Sequence, residues 1–174
     1  MSTIIIALLL VGTIALVIVL LVSANNRNEK KRRKKIFKQL NQLGVDNGLS
    51  FSSQELFGKE MLALDAVNRK LVIMKDAGEA FDADIISLDD IQRCSIKKDY
   101  ANIIHNDKKP HLNELLLNEI LLQLNFKDSR EPVVIRFYDI NLHSLYQLPE
   151  RQARANDWEI MLSKLAGKQG LYRA

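Results

Sequence analysis

The hydrophobic pattern of the chain changes character twice. Thr3 to Val22 is an aliphatic run without a charge, interrupted by Thr3, Gly12 and Thr13. At 1.5 Å per residue these twenty residues reach roughly 30 Å as a helix, the thickness of a bilayer's hydrocarbon core. Fifteen are Leu, Ile or Val, each favouring insertion by roughly 0.3–0.6 kcal/mol. A helix apolar on every face belongs in lipid or inside a much larger protein, so residues 1–24 are expected to be a transmembrane anchor. The rival is a cleaved signal peptide, for which Val22-Ser23-Ala24 supplies a small-residue site. No basic residue precedes the run, and it is longer than the apolar core of about 7–15 residues usual there. Both facts favour an uncleaved anchor.

Residues 25–44 form a basic segment. Arg27, Lys30, Lys31, Arg32, Arg33, Lys34, Lys35 and Lys38 face Glu29 alone, a net of +7. The whole chain carries +4, so residues 39–174 carry −3. Cations beside a span stay on the cytoplasmic side. The expected arrangement is a single pass through a bacterial inner membrane, N-terminus out and C-terminal domain cytoplasmic. The single Cys, Cys94, suits a reducing compartment and excludes an internal disulfide. The eight cations are expected to act electrostatically on anionic headgroups. No aromatic residue interleaves Lys30–Lys35, so no stacking platform for a nucleic-acid strand is indicated. Ile36, Phe37, Leu40 and Leu43 follow at helical spacing. They predict a helix over 30–43 ending near Gly44, its apolar stripe packed on protein or lying on lipid.

From Leu49 onward the pattern turns strand-like. Short runs fall at 49–52, Met61–Leu64, Leu71–Met74, Asp84–Leu88, Ile91–Lys98, 119–126 and Val133–Tyr138. DAVNRK reads as a hairpin turn with Asn68 suited to the left-handed position. Residues 101–113 read as a polar loop. A helix closes the chain, with Pro149 and Glu150 in its first turn, Ala155, Trp158, Met161, Leu162 and Leu165 on one face, and Gly167 after it. Consecutive strands without helices between them exclude a doubly wound parallel sheet. The expected fold is thus an N-terminal transmembrane helix plus a mainly-β (α+β) domain over residues 45–174. That domain has about seven antiparallel strands in an open barrel capped by the C-terminal helix.

That element order, with the LDDI step between the fourth and fifth strands, resembles the pleckstrin-homology-like superfold. Along most of residues 3–166 the chain is similar to uncharacterised single-pass membrane proteins of Bacteroidota. The segments that carry the likeness are ALDAVNRKLVIM, ISLDDIQRCSI and LQLNFKD-x-x-x-PVVIRFYD, with the closing helix and its Trp. The resemblance implies the fold and the layout; its motifs are structural and imply no catalytic residue.

Candidate chemistry is sparse. His105 and His111 sit in the polar loop near Asn106 and Asp107, without the Cys or closer His partners of a zinc site. Cys94 lies on an inward-facing strand position, the setting of an inert thiol. Asp82, Asp84, Asp89 and Asp90 have turn spacing and lack the Gly and final Glu of a calcium loop. No phosphate-binding glycine loop, G-x-S-x-G or HExxH is present. Lys59, Arg69 and Lys70 make a poor phosphoinositide cluster in a domain of net −3. No catalytic, cofactor or metal site is expected. The reading is a membrane-tethered cytoplasmic interaction (scaffold or adaptor) domain, with lipids and an unidentified protein as partners and no nucleic acid. The alternative is an anionic-lipid-responsive module that uses the basic segment and the domain together.

Overall fold

The computed structural model describes residues 2–78, 80–102 and 115–166. His105, His111 and Gly167 lie outside them. The chain divides into two compact units, one of Met1–Leu49 with Asp76–Asp82, the other of Ser50–Lys75 with Ala83–Ala174.

The first unit is dominated by one helix, α1 (Ser2–Asn47). The expected transmembrane helix over residues 1–24 is corrected here. Among the described residues no helix is long and apolar enough to cross a membrane, and the single-pass membrane reading falls with it. The aliphatic and basic segments share this single helix. Cations then occupy the next turns. The helix also runs past Gly44 and stops at Gly48. That glycine takes φ 63°, Leu49 N donates to Gly44 O at 2.8 Å, and Gly48 N donates to Val45 O at 3.3 Å. This is the double-bonded glycine stop of a helix C-terminus. Ile36 and Leu40 are buried, while Phe37 and Leu43 are half-buried.

The second unit holds the strands, apart from Asp76 of the third and Phe81 and Asp82 of the fourth, and a closing helix, and the expected barrel is corrected. β1 (Ser53–Phe57), β2 (Glu60–Asp65), β3 (Lys70–Asp76) and β4 (Phe81–Ser87) make one antiparallel sheet in that order. β5 (Ile91–Asn102), β6 (Leu115–Phe126) and β7 (Val133–Asp139) make a second. No closed barrel forms, because the two sheets are paired separately and the LDDI step, a short 3-10 turn over Leu88–Asp90, ends β4 and starts β5. The first strand also lies later than the 49–52 run. Ser50 N donates to Asp65 Oδ2 at 2.7 Å, and pairing begins at Ser53 opposite Leu64. The SQELF strand has two polar residues in its middle, which hides it from a hydrophobic pattern.

At the β2–β3 hairpin the left-handed residue is Arg69 (φ 55°), not Asn68. Asn68 is instead held by Asp65, to which it donates its amide at 2.8 Å and its Nδ2 at 2.7 Å. β2 and β3 are buried on both faces. Leu62, Leu64, Leu71 and Ile73 join the main core, and Met61, Ala63, Val72 and Met74 are buried on the other face.

The closing helix α2 (Leu148–Ala166) completes the core. Ala155, Trp158 and Leu162 are buried in one cluster with Phe57, the inward residues of β6 and Phe137 of β7. The Phe57 and Phe137 rings lie 4.4 Å apart, tilted by 57°. α2 also satisfies backbone groups of both outer strands of the second sheet. Glu159 Oε1 accepts from Ile96 N of β5 at 3.0 Å, and Arg151 donates to Phe137 O of β7 at 3.0 Å. These bonds occupy strand edges that would otherwise template pairing with another chain.

Alternation along β7 predicts Tyr138 outward, yet it is fully buried. The register explains this: Ile120 faces Tyr138 and Leu121 faces Arg136, so Phe137 is an extra, bulged residue. A bulge places two residues against one and resets the facing of the residues beyond it. The Tyr138 hydroxyl is buried with no hydrogen-bond partner among the described residues. An unmade buried bond is costly, so Tyr138→Phe is expected to leave stability unchanged or raise it by about 1 kcal/mol. Thermal melts of both proteins check this, and a clear loss in the variant would show that the hydroxyl is bonded.

Candidate functional site

The basic segment projects eight cations against a single acid, Glu29. Arg27, Lys30, Lys31, Arg33, Lys34, Lys35 and Lys38 are exposed on α1, and Arg32 is half-buried with its guanidinium 3.9 Å from Glu29. Helical geometry sorts them. Ile36 and Leu40 are buried, so the face opposite them carries residues 27, 30, 31, 34 and 38, spaced three to four apart. Five cations therefore form a stripe of about three turns along one side of the helix. Lys35 leaves that stripe and places its ammonium 5.1 Å from the Phe81 ring, in the same unit. N-terminal to the cations, Ile14, Leu16, Val17, Ile18, Val19, Leu20, Leu21 and Val22 are all more than half exposed. Aliphatic surface that extensive marks an interaction region.

The cations of the β-rich unit behave differently. Arg69, a candidate for headgroup binding by its sequence position, donates through Nε to Asp89 Oδ1 at 2.6 Å. Lys127 Nζ donates to Asp89 O at 2.6 Å, and Lys127 N to Asp90 O at 2.9 Å. Arg130 bonds Asp90 and Asp128 at 3.0 and 2.8 Å while lying 3.9 Å over the Phe126 ring. The two acids of the LDDI step are thus turn residues clamped from β3's hairpin and from the β6–β7 connection. Arg136 pairs with Glu119 and Asp139, and Arg154 with Glu55 and Glu150. Arg69, Arg130, Arg136 and Arg154 are thus each held by carboxylates.

The remaining polar groups are structural in placement. Cys94 is buried, and burial with the nearby Glu159 carboxylate pushes its thiol up to about 12. A thiol that far from ionisation is a poor nucleophile at neutral pH. Asp65 is fully buried. Burial alone would raise its carboxyl, but hydrogen bonds from Asn68 and Ser50 outweigh it and hold the group below the ordinary value. Among the described residues no three His, Cys, Asp or Glu side chains are grouped to hold a metal ion.

Sequence reasoning missed Glu55, Asp65, Arg151 and Glu159, whose importance lies in distant partners. Only Asp65 carried a local signal, because Asp-x-x-Asn at the end of a strand is turn chemistry. Comparison with protein-family models, curated proteins and solved structures finds no match.

Proposed function

We propose that this protein is an interaction module that meets an anionic lipid surface through α1 and presents its β-rich unit, at the cytoplasmic face, to a protein partner. The observation that supports the reading is the outward stripe of Arg27, Lys30, Lys31, Lys34 and Lys38 directly after exposed aliphatic turns. Aliphatic surface gains by burial in lipid, and each cation near an anionic leaflet adds about 1 kcal/mol. In the β-rich unit Arg69, Arg130, Arg136 and Arg154 are engaged by carboxylates, which supports recognition of protein over recognition of headgroups.

Vesicle flotation of the full chain tests this. Binding should be stronger to vesicles containing phosphatidylserine than to neutral ones, and the increment should fall with salt. Lys34→Gln with Lys38→Gln should weaken that increment by about 2 kcal/mol, roughly 30-fold, at about 1 kcal/mol per charge. Equal affinity for neutral and anionic vesicles at low salt would reject the electrostatic role of the stripe.

A further inference from the structure

The connection between β7 and α2 is organised around one residue. Asp139 O accepts from Leu142 N at 3.0 Å and from His143 N at 2.9 Å. The Asp139 carboxylate accepts from Asn141 N at 2.8 Å and from Arg136 at 3.1 Å. The Asp139 amide itself donates to His143 Nδ1 at 3.0 Å. A backbone N–H can only donate, so Nδ1 must carry a lone pair. The bond therefore exists only with the neutral imidazole, its proton on Nε2. An imidazolium has hydrogen on both nitrogens, and its Nδ1–H would meet the Asp139 N–H head-on.

We infer that the β7–α2 connection is an acid-released clasp: neutral His143 locks the turn by accepting the Asp139 amide hydrogen, and protonation of Nδ1 frees the turn together with the apolar side chains it displays. Those side chains are Leu142 at 70% exposure, Leu145 at 56% and Tyr146 at 97%. Three large apolar groups on one short connection are unusual where nothing covers them, and the clasp fixes the backbone that presents them.

The charges around the ring come from three elements. On β7, Asp139 is paired with Arg136, which also bonds Glu119 of β6 at 3.3 Å. On α2, Arg151 faces the ring's surroundings, with Glu150 and Arg154 beside it. The Tyr138 ring lies 5.8 Å from the imidazole. Burial and the Arg151 charge hold His143 below its ordinary value, and the opposing pull of Asp139 does not reverse this. In the opened turn His143 titrates at its ordinary value of about 6.5, and in the closed turn lower. The closed form is therefore fully favoured above about 6.5 and loses ground as pH falls toward the closed-turn value.

The test is residue-resolved hydrogen exchange on the full chain in mild detergent, with the His143 ring titrated by NMR in the same samples. After correction for the intrinsic exchange rate, protection of the Asp139, Leu142 and His143 amides should fall by up to about tenfold per pH unit below 6.5. Ladder amides such as Leu122 and Ile135 should not change. His143→Gln, which cannot titrate, should abolish the pH dependence. The clasp is overturned if His143 protonates while those three amides keep their protection, or if the glutamine variant retains the pH dependence.

Discussion

Replacing Trp158 by alanine is expected to cost about 3–5 kcal/mol, the range for removing a buried tryptophan. Domains of ordinary stability have about 5–15 kcal/mol in total, so much of the β-rich unit's margin would go with one side chain. The indole is 3% exposed and belongs to the cluster that joins α2 to both sheets. Its Nε1 donates to Glu55 Oε2 at 2.7 Å, so the same residue packs the core and anchors β1. Arg154 bonds the other oxygen of that carboxylate. Alanine would leave a cavity and remove one of the two donors that fix Glu55. Trp158→Phe separates the contributions, because it keeps most of the ring volume and loses only the donor, at about 1 kcal/mol. Thermal melts of the full chain in mild detergent, with tryptophan emission, check both. The wild-type emission should be blue-shifted and resistant to quenchers. An unchanged melt in the alanine variant with quenchable wild-type emission would move Trp158 from the core to a docking surface.

Asp65→Ala is expected to cost about 2–4 kcal/mol, although it lies in a hairpin far from any cleft. The carboxylate is fully buried and accepts from Ser50 N, Asn68 N and Asn68 Nδ2. Removing it leaves donors without an acceptor, and each buried orphan costs about 1–3 kcal/mol. It also loosens the entry to β1 and the turn that puts Arg69 at positive φ. The pH dependence has a definite sign. The folded-state carboxyl titrates below its unfolded value, so its contribution is complete above about pH 4 and is lost as pH falls through the lower folded value. From pH 7 down to 3 the gap between wild type and variant melts should narrow at the acid end. A constant gap across that range would show that the carboxylate charge is not what the amides bind.

Periodicity alone located most of the strands and the closing helix. The alternation of Ile120, Leu122, Leu124 and Phe126 needs no tertiary knowledge, because a strand with one buried face must place apolar residues at every second position. The same holds for Ala155, Trp158 and Leu162 at helical spacing on α2. The aliphatic and basic runs likewise determined the apolar and cationic character of α1. What the helix does with its length was not legible, since apolarity is a local property of the run.

The tertiary structure decided the rest. The turn between the sheets of four and three strands is held by Arg69, Lys127 and Arg130 meeting Asp89 and Asp90, contacts separated by up to 40 residues. Burial of Tyr138 turns on a bulge, which is a register between strands and has no trace in either strand's own pattern. The first strand was hidden because Gln54 and Glu55 are polar, and Glu55 is usable there only because Trp158 and Arg154 arrive from α2 to bind it. The bond from Asp139 N to His143 was invisible because a histidine's tautomer is fixed by its neighbour in space. Sequence records the tendency of each residue to be buried or to turn. It does not record which distant donor will satisfy a buried acceptor.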